Sequence, residues 1–250
     1  MASQTFAIGD LHGDLTALRR LFGQLPKLDA TDTLVFLGDY VDRGPNSAGV
    51  VHFLRFTLPG LTPAKLVFLR GNHEDAWLRV CDRGWDAFLL PPQNGCLAAY
   101  RSWVGGAPAL RGEYPTEEDW ARMEDADFLP DDVVAWMRSL LWWYEDDHAI
   151  YVHAGLAEAE TGWLHPSEAP EPAVLLWTRS LRFFTEYRGK LVVVGHTTTD
   201  LLPPELDGLS PEDPSDVWMG GGVYALDTGC GKGGFLSCLS LPSRTIYDSR

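Results

Sequence analysis

The sequence predicts an α/β protein. Three short apolar runs, Thr5 to Ile8, Thr33 to Leu37 and Lys65 to Leu69, have the length of buried strands, and each gives way to a glycine within two residues. Helical patterns follow the first two. Asp14 can cap a helix in which Leu15, Leu18, Leu21, Phe22 and Leu25 recur at three- and four-residue spacing, and Ser47 can cap another through Val50, Val51 and Leu54. Strands alternating with helices build βαβ units, whose ligands collect at the carboxyl ends of the strands.

The pattern then changes. From Trp77 to Glu145 it becomes helical pieces and loops, read as a helical insertion within a single domain spanning 1–250, and seven of the ten tryptophans fall there. Glu117 to Asp132 carries eight acidic residues against Arg122 alone, as expected of a solvated face. Strand signals return at Ala149 to Val152, Leu191 to Val194, Val223 to Leu226 and Phe235 to Leu241, while 158–172 and 200–216 are rich in Pro, Glu and Asp and read as exposed loops. Gly229, Gly231 and Gly234 spell G-x-G-x-x-G, but the strand signal after them replaces the helix that a dinucleotide-binding fold needs, and Gly233 after Lys232 rules out a Walker A loop. A hairpin turn is the expected use of this stretch.

Composition bounds the function. Twenty basic residues against 35 acidic ones leave a net charge of −15, the wrong sign for a nonspecific grip on nucleic acid or an anionic membrane. A phosphate-bearing substrate would therefore need cations concentrated in one small site. No run approaches the roughly 18 apolar residues of a membrane span, and residues 1–9 hold no signal-peptide pattern. Cys81, Cys96, Cys230 and Cys238 form no C-x-x-C pair and are expected to be reduced, partly buried thiols, so the chain reads as cytoplasmic.

The chemistry lies at the strand ends. The three early turns read Gly9-Asp10-Leu11-His12-Gly13, Gly38-Asp39-Tyr40-Val41-Asp42-Arg43-Gly44 and Gly71-Asn72-His73-Glu74, and two later strands end in His153-Ala154-Gly155 and Gly195-His196. Asp, Asn and His are oxygen and imidazole donors suited to hard or borderline divalent metals. A lone histidine or turn aspartate is ordinarily a core contact or a cap, which is the reading for His52, His148 and His165. Four histidines, two aspartates and an asparagine, all at strand ends of one α/β chain, make a joint pattern that such local roles do not explain.

These motifs resemble the phosphoprotein phosphatase branch of the calcineurin-like metallophosphoesterases, whose ordered signature GD-x-HG, GD-x-VDRG, GNHE is matched at every fixed position by residues 9–13, 38–44 and 71–74. The resemblance extends over about residues 5–240 and is weak across the insertion. His153-Ala154-Gly155 and Gly195-His196-Thr197 depart from the eukaryotic pattern and are similar to bacterial and phage members. The resemblance implies a sandwich of two mixed β-sheets flanked by helices. It further implies a first metal on Asp10, His12 and Asp39 and a second on bridging Asp39 with Asn72, His153 and His196. Manganese is the ion the resemblance favours, iron and zinc being compatible with the same donors.

Two divalent ions roughly 3.5–4 Å apart can depress the pKa of a water between them from 15.7 toward about 7 and clamp an in-line displacement at phosphorus. Arg43 follows Asp39 in the same loop, where its planar fork can hold two phosphate oxygens. Arg179, in Leu176-Trp177-Thr178-Arg179, resembles the second phosphate-binding arginine of bacterial members. By the same resemblance His73 protonates the leaving alkoxide, with Asp42 orienting its imidazole. The leading expectation is a serine/threonine protein phosphatase, phosphotyrosine being a further substrate. The alternative is a symmetrical dinucleoside polyphosphate hydrolase, for which the tryptophan-rich insertion could stack an adenine, although those tryptophans also suit the core of a helical cap. A nuclease is disfavoured by the absent second histidine after His196 and by the overall charge.

Overall fold

A computed structural model describes residues 3–89, 91–208, 213 and 216–250. In chain order the elements are β1 (Thr5–Ile8), α1 (Leu15–Gln24), β2 (Thr33–Phe36), α2 (Ser47–His52), β3 (Lys65–Phe68), α3 (Asn72–Arg83), α4 (Cys96–Val104), α5 (Glu117–Met123), α6 (Asp131–Ser139) and β4 (Trp143–Glu145). There follow β5 (Ile150–Val152), β6 (Glu158–Ala159), β7 (Gly162–Trp163), α7 (Val174–Trp177), α8 (Leu181–Glu186), β8 (Val192–Thr198), β9 (Trp218–Met219), β10 (Val223–Asp227), β11 (Ser237–Leu241) and β12 (Thr245–Asp248). Among the described residues no helix is long and apolar enough to cross a membrane.

Two five-stranded mixed sheets form, in the orders β12-β11-β1-β2-β3 and β4-β5-β8-β10-β9, and β6 with β7 makes a small separate ribbon. The α/β sandwich expected from the sequence is therefore observed. Alternation along each strand assigns the layers. Ala7, Val35 and Val67 point inward to meet Tyr151, Val193 and Leu226 of the second sheet. Phe6, Ile8, Leu34 and Phe36 point outward onto Leu18, Leu21, Val50, Leu54 and Trp77 of the covering helices. On the far side, Ile150, Val152, Val192 and Val194 pack against Phe183 and Phe184 of α8. Each fully buried side chain of this size contributes about 1.5–3 kcal/mol by leaving water.

Register explains why the motifs meet. Ile8 pairs with Phe36 and Phe36 with Phe68 in parallel, so the loops leaving β1, β2 and β3 emerge side by side. In the second sheet β5, β8 and β10 also run parallel; His153 directly follows β5, and His196 lies in the C-terminal half of β8.

Several local expectations change. Asn46, not Ser47, caps α2 by accepting from Gly49 N, because the Ser47 hydroxyl instead accepts from Asp42 N at 3.0 Å. The stretch 77–145 holds α4, α5 and α6, but it begins inside α3 and ends in a strand, β4, which pairs antiparallel with β5. β8 runs past Val194 to Thr198, with an irregular register against β10 near His196. The turn after β10 does not close a hairpin, since β10 and β11 belong to different sheets and the chain crosses between them there. The loop expected over 200–216 lies partly outside the described residues.

Gly38 is a tight joint between the loops that follow β2 and β3. Its φ is +108°, and a Cβ there would stand 2.6 Å from Gly71 N. Gly38→Ala combines a conformation L-residues avoid with a backbone clash, and should cost about 3 kcal/mol or more in urea-unfolding free energy. A loss below 1 kcal/mol would mean that the two loops can separate freely.

Candidate dimetal site

Asp39 lies at the centre. Its Oδ2 is 3.4 Å from His12 Nε2 and its Oδ1 is 3.5 Å from His153 Nε2, so its two oxygens serve opposite flanks. On one flank Asp10 Oδ2 approaches His12 Nε2 at 3.8 Å. On the other, Asn72 Oδ1 is 2.9 Å from both His153 Nε2 and His196 Nδ1. The six predicted ligands thus come together, all of them buried. His52, His148 and His165 lie elsewhere, the last tied to Ser167 and Glu145.

The donor chemistry fits two divalent cations. His12 Nδ1 donates to Val41 O at 3.0 Å and His153 Nδ1 to Leu37 O at 2.8 Å, leaving each Nε2 with its lone pair toward the cluster. Burial pushes the His12 and His196 imidazoles well below their ordinary pKa, holding them in the neutral form that ligates. Two sets, His12 with Asp39 and His73, and Asp39 with His153 and His196, offer atoms within 4.8 Å of one another and share Asp39. Asp10, Asp39, Asp42, Glu74 and Asp227 are all buried nearby. Burial, reinforced by Asp227 and Asp39, drives the Asp10 carboxyl well above its usual range. So much buried acid calls for cations. The guanidinium of Arg43 donates to His12 Nε2, so this side chain and an ion on His12 compete for one lone pair.

A second group stands beside these donors. His73 Nδ1 meets Asp42 Oδ2 at 2.6 Å, while Trp77 Nε1 donates to Asp42 Oδ1 at 2.9 Å. Nε2 of His73 has no hydrogen-bond partner among the described residues. Burial raises Asp42 to about 8 and lowers His73 well below its ordinary value, so the pair shares a proton between two groups that each resist charge. Phe88 packs edge-on against His73 with ring centres 5.1 Å apart, and Trp177 stands against Phe88 at 4.6 Å. Arg179 Nη1 donates to His196 O at 3.3 Å. Arg43 and Arg179 both line a cleft of about 700 Å³ that opens onto His196.

Sequence reasoning left Glu74, Asp227 and Lys232 without roles. Glu74 lies within a quoted motif, yet its work is tertiary: Oε2 accepts from Asp39 N and Gly71 N at 3.0 Å, and Oε1 from Tyr40 N at 2.8 Å and Val41 N at 3.2 Å. Asp227 and Lys232 pair at 2.8 Å in the glycine-rich turn that was set aside as a hairpin. Five of the predicted site residues, His12, Asp39, Asp42, Arg43 and His196, have φ between 42° and 68°. Such left-handed backbone is uncommon outside glycine and concentrates where a frame enforces it. The tryptophans of the 77–145 stretch do not line the cleft. Trp77 packs with Trp85 and Phe128, and Trp85 with Trp120, so they form a core rather than a stacking platform.

The fold and the site define a metal-dependent hydrolase of phosphoric esters. Residues 4–200 match the family model described as calcineurin-like phosphoesterase, and the chain belongs to that family. It is 28% identical over 280 residues to a symmetrical bis(5'-nucleosyl)-tetraphosphatase of Proteus mirabilis, a match covering 97% of this chain and 96% of that protein. Likeness to the serine/threonine-protein phosphatase SIT4 of Candida albicans is 44% over 69 residues, which is 26% of this chain and 22% of that one. Among solved structures, that of a candidate diadenosine tetraphosphatase superposes with a TM-score of 0.57 at 19% identity, covering 99% of this chain and 93% of the other.

Glu74→Gln would replace one acceptor oxygen by an NH₂ facing two backbone donors. Leaving buried N–H groups unmatched costs about 1–3 kcal/mol each, so the variant should lose about 2–4 kcal/mol. For a chain of this size that lowers Tm by roughly 5–15 °C in calorimetry. An unchanged Tm would show that the carboxylate does not hold the loops.

Proposed function

We propose that the chain hydrolyses phosphate esters and anhydrides at a centre of two divalent ions, and that its substrate is a dinucleoside polyphosphate. Asp10, His12 and Asp39 would hold one ion, and Asp39, Asn72, His153 and His196 the other. When bound, such ions supply Lewis acidity toward phosphoryl oxygens and a nucleophile at neutral pH. Arg43 and Arg179 reach the cleft as planar forks and bind the nonbridging oxygens of the scissile group. His73 Nε2, without a hydrogen-bond partner among the described residues and 3.8 Å from Asp39 Oδ2, delivers a proton to the leaving oxygen, while Asp42 orients the ring through Nδ1 and Trp77 fixes Asp42. Manganese is the ion we favour from the motif resemblance, and four free thiols support action in the cytoplasm.

The volume of the cleft carries the choice of substrate. About 700 Å³ lies within the range of clefts that enclose a whole small molecule, far more than one phosphorylated side chain requires. Sequence likeness over nearly the full chain to a tetraphosphatase supports the same reading, whereas the sequence likeness to the serine/threonine phosphatase SIT4 covers 26% of this chain. One observation favours phosphoserine or phosphothreonine as a second reading. The His73–Asp42 pair is built to protonate, and an alkoxide leaving group needs that proton more than a phosphate does.

Diadenosine tetraphosphate and a phosphothreonine peptide, offered side by side to manganese-loaded protein with Asp39→Asn as the blank, test this. ADP formation at the higher kcat/KM, abolished in the variant, is expected. Preferential phosphate release from the peptide would overturn the substrate and keep the chemistry, and inactivity on both would overturn the chemistry. His73→Asn should lower kcat on a phosphoserine peptide by about 10²-fold or more, but p-nitrophenyl phosphate turnover far less. Equal losses would remove His73 from the proton-donating role.

A further inference from the structure

The cleft has more cations than one phosphate needs. In a chain of net charge −15, its wall carries Arg43, Arg179, Arg111 and Lys232. The first two stand beside the predicted metal ligands. Arg111 comes from the segment between α4 and α5, which supplies none of those ligands, and Lys232 from the turn after β10, where it pairs with Asp227. These parts adjoin, since Arg111 Nη1 lies 3.9 Å from the point a Cβ on Gly233 would occupy.

Arg111 stands out by what it does not touch. Neighbouring arginines are paired: Arg101 with Glu113 and Asp119 at 2.8 and 3.3 Å, and Arg122 with Glu118 at 2.8 Å. Arg111 has no ion pair or hydrogen bond among the described residues, although acids outnumber bases 35 to 20. The carboxylates on the cleft wall are engaged elsewhere, Glu113 with Arg101 and Leu110 N, and Asp14 as the cap of α1. Lys232 meets Asp227, but an ammonium has three donors and this one faces the cleft. A cation left unmatched on the wall of a concave site, against the field of the whole molecule, is placed for an anionic ligand.

We propose that Arg111 and Lys232 form a second anion subsite, which binds a phosphoryl group on the leaving portion of the substrate while Arg43 and Arg179 hold the scissile one. The ligand class is a chain of linked phosphates, and engagement at both points sets which phosphorus faces the metals. This rests on the phosphoric-ester site proposed above.

Inhibition of p-nitrophenyl phosphate hydrolysis by orthophosphate and by inorganic tripolyphosphate, at constant free metal, isolates the subsite from the nucleoside. The readout is the ratio of the two inhibition constants in the wild type, Arg111→Glu, Arg111→Lys and Arg122→Glu. The last makes the same change of net charge on an exposed helix. Wild-type protein should bind tripolyphosphate about tenfold or more tightly than orthophosphate, as one added charge-assisted contact implies. Arg111→Glu should abolish that advantage, Arg111→Lys keep most of it and Arg122→Glu leave it intact. A wild-type ratio near one, or equal effects of Arg111→Glu and Arg122→Glu, would overturn the subsite. If orthophosphate does not inhibit at all, the phosphoric-ester site fails and this inference with it.

Discussion

One buried carboxylate holds the site together. Glu74 accepts four backbone N–H groups, three from the loop after β2 and one from the residue before α3, and so locks those two loops into a single body. That loop needs a lock, because Asp39, Asp42 and Arg43 all carry positive φ, a conformation worth roughly 1–3 kcal/mol of strain per residue. Burial and the nearby Asp39 push the Glu74 carboxyl up to about 8, while the N–H donors pull it back toward the charged form that accepts from all of them. The strain is directional: it turns Asp39 into the cluster with one oxygen on each flank and turns Asp42 toward His73.

The two sheets provide the second half of the site. Parallel pairing in matched register sets the loops after β1, β2 and β3 in a row, and packing of the inner faces through Ala7, Val35, Tyr151 and Val193 brings His153 and His196 opposite them. Asp10 spans the seam, its carboxylate accepting from His196 N at 3.1 Å. Removing so many ionisable groups from water drives the His12, His73 and His196 imidazoles toward neutrality and leaves the carboxylates in excess. Those are the conditions in which a divalent cation is bound tightly and its charge is felt strongly by a phosphate.

Beyond the ligands, the molecule separates structural from recognition roles in a way composition alone does not reveal. Trp77 of α3 meets Phe128 edge to face and Trp103 meets it at a tilt, so these tryptophans are interior packing. The neighbouring loop residues, small or polar and easily passed over, form the cleft wall, with Arg111 beside Gly233 of the glycine-rich turn that carries Lys232. Four cationic side chains thereby share one concave region, where low-dielectric walls focus their field, while the net acidic charge of the chain repels bulk polyanions.

Periodicity and turn chemistry determined the α/β class, the strand ends and the donor residues, because alternating apolar runs and glycine-bounded Asp, His and Asn motifs are local properties of the chain. The short strands β4, β9 and β12 were not legible, since Trp143–Glu145 and Thr245–Asp248 mix apolar with acidic residues and Trp218–Met219 is only two residues long. Nor was the true cap of α2: Ser47 and Asn46 are equally good caps, and only the approach of Asp42 N decides between them. Tertiary structure alone decided that Glu74 is a clamp, that the glycine-rich turn crosses between sheets, and that Arg111 and Lys232 line one cleft. In each case the partners lie tens to more than a hundred residues apart, and their chemistry exists only once the sheets have packed and water has left the space between them.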